Sequence, residues 1–280
     1  MYRTKLCINT EILDEQDISK RLELIKKAGF EGFFTGYSDR LNEYRKYADA
    51  LGMEYLFIHA PFGNIHKVWE NGVEAEKAVN ELIECLRGCK KVGVDLAVLH
   101  VYKGFEPNSG PNEIGIRNLT RVVDEAETLG VKIAFENTEG DEYLAAVMQA
   151  FANRAHVGFC WDTGHEQCYN YSKDMMALYG DRLFCTHIND NLGISRYDGK
   201  TFWTDDLHLL PFDGIIDWEN IAERLNYHGF CGPLTFELGR KSKPKRHEND
   251  LYAKMSDEEY LAQAYTRACR LAVMKLRAQN

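Results

Sequence analysis

Six short apolar runs in this chain end on a residue able to bind a metal ion or move a proton. YLFIH ends at His59, LAVLH at His100, KIAFE at Glu136, GFCWD at Asp162, LFCTH at His187 and LTFE at Glu237. Imidazole nitrogens and carboxylate oxygens in mixed sets are typical ligands of divalent metals. Three further donors follow close behind. His165 comes three residues after Asp162 in WDTGH, and Asp206 and His208 stand two apart in TDDLH, where an extended segment points both the same way. Singly, each residue has a plainer use: a strand-end histidine bonds a neighbouring loop, and Asp162 before Thr163 can cap a helix. Jointly the plain uses fail, because carboxylates buried together are costly unless a cation pairs them. A divalent metal supplies that cation directly.

The elements that must carry these donors show in the punctuation. Helical stretches end at or near a glycine, the residue that best accepts the left-handed turn after a helix. A short apolar run then follows, as in KKAGFEGFFTG, ADALGMEYLFIHA, KKVGVDLAVLH and ETLGVKIAFEN. With KLCI near the start there are eight such runs, alternating with helices, and this predicts an α/β fold of the (β/α)8 barrel type. No linker or low-complexity segment interrupts residues 1–280, so a single domain is expected, with its active site at the C-terminal ends of the strands. Strand alternation turns Ala134, Gly158 and Cys160 inward with the donors, and Phe135, Phe159 and Trp161 outward. That predicts small side chains at the barrel axis.

Two connections, about Asn189 to Ile216 and Leu238 to Ser256, are too long to be turns; loops of that length are functional or disordered, and following strands seven and eight puts both on the catalytic face of a barrel. Phe62, Trp69, Trp203 and Phe212 are loop aromatics that could stack on a ligand. The basic run GRKSKPKRH, Arg240 to His247, reads as a solvated loop or a phosphate contact. His66 and His247 read as loop residues, and His156 and His228 as structural residues at the far end of the barrel.

Composition narrows the partners. The 280 residues carry a formal charge of −9, which argues against nucleic acid and the membrane surface. No stretch approaches the roughly 18 apolar residues of a membrane span. The eight cysteines include no CxxC, and several lie in apolar runs. With no apolar leader at the N-terminus, they read as buried and reduced, and the protein as cytoplasmic.

Assembled, these residues resemble the xylose isomerase-like TIM-barrel superfamily, which includes sugar and sugar-phosphate isomerases and epimerases and the related type IV apurinic endonucleases. The resemblance runs from HAPFGN at His59 through WDTGH, THIND and DLHLLPFDGIIDWENI to GPLTFELG at Glu237. It implies one divalent ion (manganese, zinc, cobalt or magnesium) held by Glu136, Asp162, His187 and Glu237. Glu136 and Glu237 would also carry protons on opposite sides of a sugar, sugar phosphate or polyol, through a metal-stabilised enediolate. His165 would bind a substrate oxygen and the loop around Trp203 would close over the sugar; homo-oligomers are common in such barrels. The endonuclease branch implies instead up to three zinc ions on His59, His100, Glu136, Asp162, His165, His187, Asp206, His208 and Glu237, and a phosphodiester substrate. DTGH in place of DTCH, and DLHLLPFDGIIDW in place of the DRHENIG type, depart from that branch. PFDG departs from the proline-glycine-x-glycine turn of the isomerase branch. A cyclitol dehydratase of the same fold is a further alternative. A glycosidase would use two carboxylates without needing the histidines, and a non-catalytic sugar-binding protein would show no turnover.

Overall fold

The computed structural model describes residues 4–105 and 109–277. Eight parallel strands alternate with helices: β1 (Leu6–Asn9), α1 (Ile18–Ala28), β2 (Gly32–Gly36), α2 (Leu41–Leu51), β3 (Glu54–His59), α3 (Val73–Lys91), β4 (Leu96–Leu99), α4 (Glu113–Leu129), β5 (Lys132–Glu136), α5 (Asp141–Ala150), β6 (Val157–Asp162), the short α6 (Thr163–Cys168) and α7 (Met175–Tyr179), β7 (Leu183–His187), α8 (Trp218–Tyr227), β8 (Leu234–Phe236) and α9 (Asp257–Arg277). From β1 to β7 each strand pairs with its sequence neighbour, and β8 pairs with β1. The seam between β7 and β8 is closed more sparingly. One parallel bridge joins Ile188 to Phe236, the Ile188 N–H donates to the Thr235 carbonyl at 2.8 Å, and the Thr186 and Thr235 hydroxyls meet at 3.1 Å. The result is the expected (β/α)8 barrel, nearly closed.

Local chemistry sets the helix ends. Asp17 caps α1 through the Lys20 N–H, and Gly29 ends it at φ 115°. No helix among the described residues is long and apolar enough to cross a membrane.

The barrel interior corrects one expectation. Ala134, Cys160 and Cys185 are indeed small and inward, but β2 and β3 send in Phe34 and Phe57, stacked at 4.4 Å. Large residues from one side of the barrel fill the space left by small ones on the other, at the close packing of protein cores. Above this plug lies His187, its ring 5.0 Å from Phe34 and 5.4 Å from Phe57.

The long connection after β7 is organised by Asp190, which is fully buried. Its carboxylate accepts from the Phe212 N–H at 2.8 Å, the Ile216 N–H at 3.2 Å and the Trp218 indole at 3.1 Å. In PFDG, Phe212 itself takes the left-handed conformation, at φ 75°, that glycine adopts without cost. Gly214 is indispensable for a different reason, since a Cβ there would lie 2.2 Å from the Asp190 carboxylate. The departure in sequence is therefore absorbed by the same buried aspartate. Phe212 packs on Trp218 and under Arg270, away from the cavity described below.

Candidate metal centre

The sheet itself aligns the deepest donors. Glu136 pairs in register with Cys160, and Asp162 with His187, while Glu237 follows β8 across the seam. Asn137 locks β5 to β6: it donates to the Asp162 carbonyl and accepts from the Asp162 N–H, both at 2.8 Å. Asn9 does the same at β8, bonding the Leu238 carbonyl at 3.0 Å and N–H at 3.1 Å. Asp162 has two duties. One oxygen caps α6 through the His165 N–H at 2.7 Å, and the other accepts from Asn189 at 2.9 Å. Asn189 reaches it because residue 164 is glycine; a Cβ there would lie 1.9 Å from the Asn189 amide oxygen. The DTGH turn and the asparagine of THIND thus fit each other.

All nine metal-type donors named from the sequence converge. Glu136 is the hub. Its Oε2 lies 3.2 Å from Nε2 of both His59 and His100, and its Oε1 lies 2.8 Å from Nδ1 of His187 and 3.3 Å from Nδ1 of His165. Nδ1 of His187 also lies 3.0 Å from Glu237. Among the described residues the ligand atoms form four sets, each within 4.8 Å: three that overlap, namely Glu136, Asp162, His187 and Glu237, then His59, His100 and Glu136, then His59, His187 and Glu237; and a separate one of His165, Asp206 and His208. In the last, His208 lies 2.9 Å from Oδ2 of Asp206, and His165 lies 3.5 Å from Oδ1.

Without a metal, shifted protons carry the charge balance. Burial would raise the Glu136 carboxyl, but the imidazoles around it, His187 foremost, hold it well below the usual range. Burial likewise fails to raise Glu237, which His187 pulls down to about 2. Burial would lower His187, yet Glu237 and Glu136 push it well above the ordinary imidazole value. His208 is carried up to about 9 by Asp206 against its burial. For Asp162 burial wins, raising it to about 6, and for His100 burial wins again, lowering it to about 4. Groups shifted in this way cluster at functional sites, as well as in structural ion-pair networks. Three carboxylates around one imidazole, in a site made by rigid strands, suit a hard or borderline divalent cation, so the inner set fits the metal that its chemistry implies.

Above the donors opens a cavity of about 540 Å³. Glu237, with its side chain 21% exposed, faces it, whereas Glu136 is wholly buried beneath. Phe62 and Trp203 line the cavity as expected. Trp69 does not: its indole donates to the Val101 carbonyl at 2.8 Å, and its ring lies against Gly115 of α4, where a Cβ would come within 1.9 Å. It is a packing residue, consistent with its 5% exposure. The basic run is not one solvated loop. Arg240 is buried against Asp257, Arg246 pairs with buried Asp205 at 3.0 Å, and Lys243 turns into the cavity. His228 pairs with Asp181 at the far end of the barrel. The cysteines are free and six are buried, but Cys231 is exposed and Cys269 half-buried, contrary to the expectation for them.

The sequence reading missed cavity residues that lie outside strand ends. Glu139 is the chief one: it is 6% exposed, accepts from the Gly104 N–H at 3.1 Å, and burial raises its carboxyl. Its position three residues after Glu136, in ENTEG, was the available signal. Lys103, over the Phe62 ring at 5.1 Å, and Tyr169, against His165 at 4.8 Å, are further examples.

A family model described as xylose isomerase-like TIM barrel matches residues 22–259. The uncharacterized protein y4fM of Sinorhizobium fredii is 26% identical over 96% of this chain and 83% of its own length. A probable endonuclease 4 of Nitratidesulfovibrio vulgaris is 26% identical over 49% of this chain and 56% of its own. Among solved structures, D-psicose 3-epimerase from Clostridium cellulolyticum superposes with a TM-score of 0.71 at 18% identity, over 97% of this chain and 99% of that one. IOLI protein with a bound zinc atom superposes with a TM-score of 0.74 at 22% identity, over 96% and 98%. At such identities the superpositions establish the shared fold.

Proposed function

This chain belongs to the xylose isomerase-like TIM barrel family, and from that premise we propose that it is a divalent-metal-dependent isomerase or epimerase of a sugar, sugar phosphate or related polyol. The observation that carries the proposal is the inner set, Glu136, Asp162, His187 and Glu237, whose donor atoms gather on four adjacent strand ends under an aromatic-walled cavity. A divalent ion bound there would supply Lewis acidity toward a carbonyl and its neighbouring hydroxyl. Glu237, facing the cavity, takes or returns the proton α to the carbonyl, and Glu136 is its partner on the other side of the reacting carbon. His165 donates to a substrate oxygen. Phe62 and Trp203 stack on the apolar face of the ring, and the connection carrying Trp203 keeps water out. The solved neighbours that are named as epimerases act on small sugars, which agrees with this substrate class.

The test is proton exchange. Metal-loaded protein in D₂O is incubated with a panel of ketoses, ketose phosphates and cyclitol ketones, and deuterium at the α-carbon is followed by NMR. Glu136→Gln and Glu237→Gln should each slow exchange by about a hundred- to ten-thousand-fold. Exchange at the wild-type rate in both variants would refute the mechanism. Loss of water, visible in the same spectra, would instead indicate a dehydratase.

Two observations favour a second reading, a multinuclear zinc phosphodiesterase: three further three-donor sets lie beside the inner one, and the endonuclease relative matches half the chain. Against it stand the departures from that branch, DTGH in place of DTCH and DLHLLPFDGIIDW in place of the DRHENIG type. Cleavage of abasic-site DNA by the zinc-loaded protein would decide for it.

A further inference from the structure

The outer set differs from the inner one in having an ammonium built against it. Nζ of Lys243, on the connection after β8, lies 3.4 Å from Oδ2 of Asp206. Among the described residues Asp206 is its ion-pair partner, and Asp206 is also the one carboxylate of the set His165, Asp206 and His208. The lysine is held in place from both sides. Ser242 donates to Asp250 at 2.7 Å and accepts from the Asn249 N–H at 3.0 Å, and Asn249 donates to the carbonyls of Leu207 and Gly239 at 3.1 and 2.8 Å. Arg246 ties the other end to the Thr204 carbonyl at 3.1 Å and to Asp205. The Lys243 ammonium stands over Trp203, with Nζ 5.9 Å from the ring centre, and its side chain is 27% exposed and lines the cavity.

We propose that Lys243 is the resident cation of the outer set: it takes up the charge of Asp206, keeps a divalent ion out of His165, Asp206 and His208, and presents its remaining N–H bonds to substrate oxygens. This rests on the metal-dependent reading above and adds to it the number of ions and a residue that sets that number. The reason is charge. A dication among these three donors would share a single carboxylate with an ammonium a few ångströms away, in a partly dry site where like charges repel strongly. The inner set has three carboxylates and no ammonium, so it does not suffer that repulsion.

The experiment is a metal count on the full chain, purified without chelator or metal-affinity tag, saturated with zinc, desalted and assayed by plasma mass spectrometry. Lys243→Met should hold one more zinc ion per chain than wild type, while Lys243→Arg keeps the wild-type number. Lys243→Gln serves as the second neutral variant, and thermal melting establishes that each is folded. Equal counts in wild type and both neutral variants, or three ions already in wild type, would overturn the proposal. Wild-type protein binding no metal at all would overturn the function proposed above, whatever the variants do.

Discussion

The inner and outer donor sets have the same ligand chemistry but different mechanical origins. Glu136, Asp162 and His187 sit on strands whose register is fixed by backbone ladders, and Glu237 follows the eighth strand. The outer donors sit on a six-residue helix and on an extended segment that depends on Asp190, Asp205 and Arg246 for its path. His208 even adopts a left-handed backbone, at φ 48°, to face Asp206. The difference teaches where each job belongs. A metal needs ligands placed within a fraction of an ångström, and strands provide this. Recognition of a substrate tolerates loops, and the cavity residues Glu139 and Lys243 are both on loops.

The comparison is broken most severely by removing the plug beneath the inner set. Phe34→Ala deletes a buried ring stacked on both Phe57 and His187. It should cost about 3–5 kcal/mol of stability, read by denaturant unfolding of the metal-free protein, and should weaken metal binding because His187 loses its seat. A variant with wild-type stability would mean that the interior is not packed as described. A smaller effect is expected from Asn189→Ala, which leaves one oxygen of Asp162 without its amide donor. Outer partners of metal ligands typically affect affinity by about 10–100-fold, and titration calorimetry with zinc should find a loss in that range. Unchanged affinity would remove Asp162 from the ligand set.

How much of this could be read from the residues follows the same division. Strands have a period of two and helices a period of 3.6, so glycine punctuation and alternation located all eight strands and put six donors at their ends. Loops have no period. Asp206 and His208 were legible because two donors at spacing two are a local signal, but Lys243 pairs with Asp206 from 37 positions away and left none. Trp69 was misjudged because its packing partner, Gly115, lies on another helix. The inward Phe34 and Phe57 escaped for a related reason: alternation gives the face of a residue, whereas its size depends on what the opposite wall leaves free.

The pH dependence separates the two sets most finely. In the metal-free protein His208 titrates near 9, above its unfolded value of about 6.5. The folded state therefore holds a proton that the unfolded state has released between these values. The stability this contributes is fully present below pH 6.5 and is lost as pH rises to 9, with a slope of at most about 1.4 kcal/mol per pH unit for one proton. His187 is raised in the same direction and adds to the decline. Saturation with metal at the inner set alone removes the His187 part, since a ligated imidazole carries no exchangeable proton at its donor nitrogen. The His208 part then remains in wild type, because Lys243 leaves the outer set to its protons. Unfolding free energies of metal-saturated protein should accordingly still fall from pH 6.5 to 9 in wild type, and the fall should flatten in Lys243→Met, where a metal replaces the proton. A flat profile in metal-saturated wild type would mean that loops and strands hold metal alike, and the division between the two sets would be lost.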